Sequence, residues 1–105
     1  MEKNRILKLG EKGSSPRIFL DGKYLSNVGF GIGEAYRVEY RENEIIINLD
    51  SSGAYVVSGR KSKGSPVIDI NNSGIRDSLS GCEKIEVKLR DNVITITPAR
   101  SAIRK

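Results

Sequence analysis

The chain has 105 residues, 37% of them hydrophobic, and carries 18 Lys and Arg against 13 Asp and Glu for a formal charge of +5. That length supports one small domain with a single core and little material for a deep pocket, so a non-enzymatic role is favoured. No apolar run approaches the ~18 residues of a membrane span and Met1 to Gly10 lack the apolar stretch of a secretory signal, so a cytoplasmic protein with no membrane attachment is expected.

Histidine is absent and Cys82 is the one cysteine. An internal disulfide is thereby excluded, the commonest general base and metal ligand is missing, and Cys82 reads as a small, partly buried filler. No cofactor and no metal are expected, because a zinc site would have to be built from carboxylates.

In chain order, Arg5 to Leu9 and Ile18 to Leu20 read as short extended segments separated by a loop, Gly10 to Pro16, whose glycines and proline break a strand. Asp21 is placed to cap a brief helix over Lys23 to Val28, stopped by Gly29. Gly31 and Gly33 lack the following Lys-Ser or Lys-Thr of a phosphate loop and predict a tight backbone turn. A hairpin follows, with Tyr36, Val38 and Tyr40 on one face of Ala35 to Tyr40, and Ile45, Ile47 and Leu49 answering across the Arg41-Glu42-Asn43 turn. After a connector at Asp50 to Gly53, the same series recurs: strands Tyr55 to Val57 and Val67 to Ile70, a short helix Ser73 to Leu79, and strands Lys84 to Leu89 and Val93 to Thr97.

The recurrence is an internal repeat. A shift of 50 places Ser15-Pro16-Arg17-Ile18-Phe19-Leu20 on Ser65-Pro66-Val67-Ile68-Asp69-Ile70, and a shift of 49 places Arg41-Glu42-Asn43 on Arg90-Asp91-Asn92. Val38, Tyr40, Ile45 and Ile47 fall on Val87, Leu89, Ile94 and Ile96, so the apolar pattern repeats with the turns. Asn43 and Asn92 are expected in left-handed backbone, not as ligands. Neither copy offers enough apolar surface for a core of its own, so the two are expected to pack as one domain over residues 1 to 105, with repeats over about 5–50 and 55–98 and a frayed basic tail over 99–105.

The positive charge is uneven. Arg5, Lys8, Lys12 and Arg17 surround the leading loop of the first copy, and Arg60, Lys61 and Lys63 occupy the leading loop of the second, whereas Glu34, Glu39, Glu42 and Glu44, with Glu83, Glu86 and Asp91, flank the trailing hairpins. Basic clustering of this kind suits a polyanion, since Lys and Arg gain affinity by neutralising phosphates and releasing counterions. Tyr24, Phe30, Tyr36 and Tyr40 have spacings that favour packing over base stacking.

Leu7-Lys8-Leu9-Gly10, Gly13-Ser14-Ser15-Pro16, Ile18 and Leu20, then Leu25, Gly33, Val38 and Ile45 to Ile47 resemble the swapped-hairpin domain of AbrB-type regulators, antitoxins and SymE-type proteins, and the second copy resembles it too. The segment from Ser58 to Asn71 is also similar to part of the N-terminal region of some bacterial and phage cytosine-5 DNA methyltransferases. The resemblance implies a mainly β fold with short helices: a pseudo-two-fold, swapped-hairpin AbrB-like barrel built from two tandem repeats, one chain supplying both copies as a monomeric pseudo-dimer. Antitoxins of this kind often carry an arginine two residues before a proline, where this chain has Phe19 and Asp21, and Asp69 and Asn71. Asp69 would repel a nearby phosphate unless it turns away, and the unlike leading loops make an asymmetric target as reasonable as a palindrome.

The function implied is non-catalytic DNA binding by a small regulator or targeting domain, with Arg5, Lys8, Lys12, Arg17, Arg60, Lys61 and Lys63 contacting DNA. Two alternatives stand beside it: a SymE-like RNA-binding toxin, and a protein-interaction module such as an antitoxin-like partner or phage-encoded inhibitor.

Overall fold

Alternating apolar and polar residues on either side of two Asn-containing turns generate the two long hairpins that frame the molecule. The computed structural model describes residues 3–8, 10–12, 15–59, 64–71, 73–79 and 84–99. Its elements are β1 (Lys3–Lys8), β2 (Gly10–Lys12), β3 (Ser15–Asp21), α1 (Tyr24–Asn27), β4 (Ala35–Arg41), β5 (Glu44–Leu49), β6 (Tyr55–Val56), β7 (Ser58–Gly59), β8 (Pro66–Ile70), α2 (Ser73–Ser78), β9 (Lys84–Arg90) and β10 (Val93–Pro98). The protein is mainly β, in two antiparallel sheets of order β1-β9-β10-β5-β4-β6 and β2-β3-β8-β7.

Each sheet joins the two halves of the chain at its middle and, in the larger sheet, at its edges. At the centre of the large sheet β5 meets β10, with Ile47 opposite Ile94 and Ile45 opposite Ile96. At the centre of the small sheet β3 meets β8, from Ile18 opposite Ile70 to Asp21 opposite Val67. The first strand of each half crosses over: β1 pairs with β9, Lys3 opposite Leu89 through Lys8 opposite Lys84, and β6 pairs with β4, Tyr55 opposite Tyr36.

The buried sides follow the two-residue period of strands. Ile45 and Ile47, Ile85, Val87 and Leu89, and Ile94 and Ile96 from the large sheet join Ile18, Leu20, Ile68 and Ile70 from the small one in a single apolar cluster with Leu25, Phe30, Ile75 and Leu79. Phe30 and Tyr36 belong to that cluster, as their spacing predicts, and Tyr36 stacks on Tyr55 at 5.4 Å between ring centroids. Asn43 and Asn92 take φ values of 58° and 68°, the left-handed geometry expected of these turns. Gly33 has φ 93° where Glu34 N–H closes a turn on the Gly31 carbonyl, so Gly31 and Gly33 shape a backbone turn.

Several expectations are corrected. A closed barrel is not formed among the described residues, because β1 and β6, and β2 and β7, remain edge strands. The segment from Gly10 to Pro16 is no plain loop: β2 pairs with the start of β3, Gly10 opposite Arg17 and Lys12 opposite Ser15. Gly10 opens β2 and Pro16, opposite Glu11, is compatible with extended backbone on this short ladder. Asp21 does not cap α1. Lys23 is the N-cap with no side-chain hydrogen bond, and Gly22 (φ 148°) turns the chain so that the Asp21 amide donates to Tyr24 Oη at 3.2 Å. Cys82 and the tail beyond Ala99 lie outside the described residues. Among the described residues no helix is long and apolar enough to cross a membrane.

Candidate nucleic-acid interface

The β3–β8 pair positions the residues of interest. Because Ile18, Leu20, Ile68 and Ile70 are buried, alternation turns Arg17, Phe19, Val67 and Asp69 to the opposite face of the small sheet. Phe19 stands opposite Asp69 in register and is 38% exposed. Arg17 reaches diagonally across the strand pair and donates two hydrogen bonds to Asp69, Nε to Oδ1 at 2.9 Å and Nη2 to Oδ2 at 3.0 Å. The same guanidinium lies 4.7 Å from the centroid of the Phe19 ring. The hydrogen-bonded carboxylate holds the Arg17 pKa above its ordinary value, so the fork is fully charged. Asp69 accordingly meets a cation on this face, which answers the concern that its charge would stand alone against a phosphate.

Strands β2 and β7 flank opposite ends of this strand pair. Lys12 closes β2 opposite Ser15 at the start of β3, whereas Gly59 of β7 lies opposite Pro66 at the start of β8. The Gly22 amide donates to the Pro66 carbonyl, which fixes that second end beside the far end of β3. Seven residue steps separate Ser15 from Gly22, about 23 Å at ~3.3 Å per step.

The predicted contact residues that are described divide between the two sheets. Arg5 lies on β1 of the large sheet, exposed, with its guanidinium 4.2 Å above the Tyr24 ring. Lys8 ends β1 opposite Lys84, and Lys12 ends β2 opposite Ser15. Arg17 is on β3 in the pair just described. Arg60, Lys61 and Lys63 lie outside the described residues, between Gly59 and Gly64 (φ 65°). On the trailing hairpins, cations meet acids: Arg37 Nε is 3.2 Å from Asp50 Oδ2 and Arg41 Nη2 is 2.9 Å from Glu39 Oε2.

Sequence reasoning missed Phe19 as an exposed ring and Asp69 as the partner of Arg17. The signal was present in the repeat, since the shift of 50 sets Phe19 and Asp69 at equivalent places on two strands that pair antiparallel. Among the described residues no three Cys, Asp or Glu side chains are grouped to hold a metal ion. Comparison with protein-family models, with curated proteins and with solved structures finds no match to this chain.

Proposed function

We propose that the protein is a non-catalytic DNA-binding module, a small regulator or targeting domain, in which one chain supplies both halves of a pseudo-two-fold, swapped-hairpin AbrB-like unit. The observation that carries this reading is the strand order. Exchanging each first-half strand for its second-half counterpart turns β1-β9-β10-β5-β4-β6 and β2-β3-β8-β7 into their own reverses. Such an arrangement sets Lys12, at the end of β2, and Gly59, the described residue that precedes the basic segment Arg60 to Lys63 in sequence, at opposite ends of one strand pair. A spacing of about 23 Å along that pair is shorter than one turn of duplex, ~34 Å, so both of its ends can meet phosphates within a single helical turn. Lysines there would supply phosphate contacts, and arginines the base contacts.

The test is binding of purified protein to labelled duplex DNA and to single-stranded RNA across a salt series, beside an Arg60→Ala, Lys61→Ala, Lys63→Ala variant. Duplex affinity that falls steeply with salt and is lost in the variant supports the module. Retention of RNA in preference to duplex favours the RNA-binding reading. Failure to hold either polymer at low salt makes the basic segments a solvated face and gives precedence to a protein partner.

A further inference from the structure

We propose that Arg17 reads one guanine on one side of the target and that Asp69 is its positioning residue, an inference that rests on the DNA-binding reading. A guanidinium carries five N–H donors in a rigid plane. Asp69 engages Nε and one hydrogen of Nη2, which leaves the Nη1 edge and the second Nη2 hydrogen. That remaining edge has the spacing for the paired acceptors O6 and N7 that guanine presents in the major groove.

Two contacts fix the plane before any DNA arrives. The carboxylate holds one edge and the Phe19 ring, 4.7 Å away, supports a face. An unrestrained surface arginine loses rotamer freedom when it binds a base; a fork already held loses less. The pair remains reachable, with 30% of the Arg17 side chain and 35% of the Asp69 side chain exposed on the side of the sheet away from the core.

The readout is one-sided. The repeat places Val67 where the first copy has Arg17, and Asp69 where it has Phe19, so the second half lacks both the fork and its ring. The two-fold frame would therefore select an asymmetric site with a single guanine specified by this device.

The test begins with selection of preferred duplexes from a random pool by the wild-type protein. Affinities then follow for every single-base replacement with wild type, Arg17→Lys and Asp69→Asn, with melting curves on all three proteins. The expected result is a preference for G·C at one position, by roughly ten- to one-hundred-fold. Arg17→Lys abolishes it and Asp69→Asn weakens it, while other positions are unchanged. A measurement on the wild-type protein alone complements this: 7-deazaguanine, which lacks the N7 acceptor, lowers affinity at that position and not elsewhere. The inference is overturned if duplex binding shows no guanine preference, or if the preference survives Arg17→Lys or 7-deazaguanine; the DNA-binding reading then still stands. No duplex binding at low salt overturns both.

Discussion

The Asn92 amide donates a 2.7 Å hydrogen bond to the carbonyl of Val28. At the corresponding place in the other half the Asn43 amide donates to the Ser78 carbonyl at 2.9 Å. In each case a hairpin turn of one half closes the C-terminal end of the short helix of the other. Carbonyls at helix ends lack intrahelical donors, and a helix as short as α1 has few internal bonds to spare, so these contacts couple helix formation to the meeting of the halves.

The backbone at both turns is left-handed, which a β-branched side chain resists. Asn43→Val and Asn92→Val should each cost about 1–2 kcal/mol, whereas Asn43→Gly should remain close to wild type. Urea midpoints for the single variants check this. Equal midpoints for Val and Gly would mean that the turn geometry is not held.

Gly53 has a different constraint. A Cβ there would run into the backbone carbonyl of Tyr36 and lie 3.0 Å from the Arg37 amide nitrogen, and backbone cannot turn aside as a flexible side chain does. Gly53→Ala should therefore destabilise by about 1–3 kcal/mol. At Gly31, where a Cβ would meet nothing within 4 Å, Gly31→Ala is the matched control and should change the unfolding midpoint little.

The two long hairpins were legible because their signals are local. A period of two in β4, β5, β9 and β10 and the Asn residues of the turns do not depend on distant partners. Strand β2 was not legible: Gly10, Glu11 and Lys12 have no apolar alternation, and their extended form follows from pairing with β3. The cap assigned to Asp21 failed because Gly22 redirects the chain before α1 begins. At the candidate site, Arg17 was legible as a cation, but Asp69 lies 52 residues away and becomes its partner only through the β3–β8 register. Arg60, Lys61 and Lys63 were singled out by charge alone and lie outside the described residues.

Tyr36 predicts an alkaline limit to stability. Burial, reinforced by the charges of Tyr55, Asp69 and Tyr40, pushes its phenol up to about 12 from an ordinary 10.0. The folded state therefore favours the neutral phenol more than the unfolded chain does. This contribution is intact below pH 10 and is lost as pH rises towards 12. Tyr36→Phe should lose less stability than wild type over that interval, measured by denaturant midpoints at successive pH values. Tyr24, also raised mainly by burial, retains part of the alkaline sensitivity in the variant. A midpoint that falls equally in both proteins would exclude Tyr36 as a source.

The central seam should behave as a single unit. Ile47 and Ile94 face each other across β5 and β10, one from each half, and both are fully buried. Truncating either leaves a cavity against its partner, so Ile47→Ala and Ile94→Ala should each cost about 2–5 kcal/mol. Once one side chain is gone, removing the other destroys contacts already lost. The double variant should thus fall short of the summed singles by about 0.5–3 kcal/mol. If even the single variants prove too unstable to refold, Ile47→Val and Ile94→Val provide the same cycle at about 0.5–1.5 kcal/mol per site. Additivity at the seam would show that the two halves pack there independently, contrary to the direct opposition of these side chains.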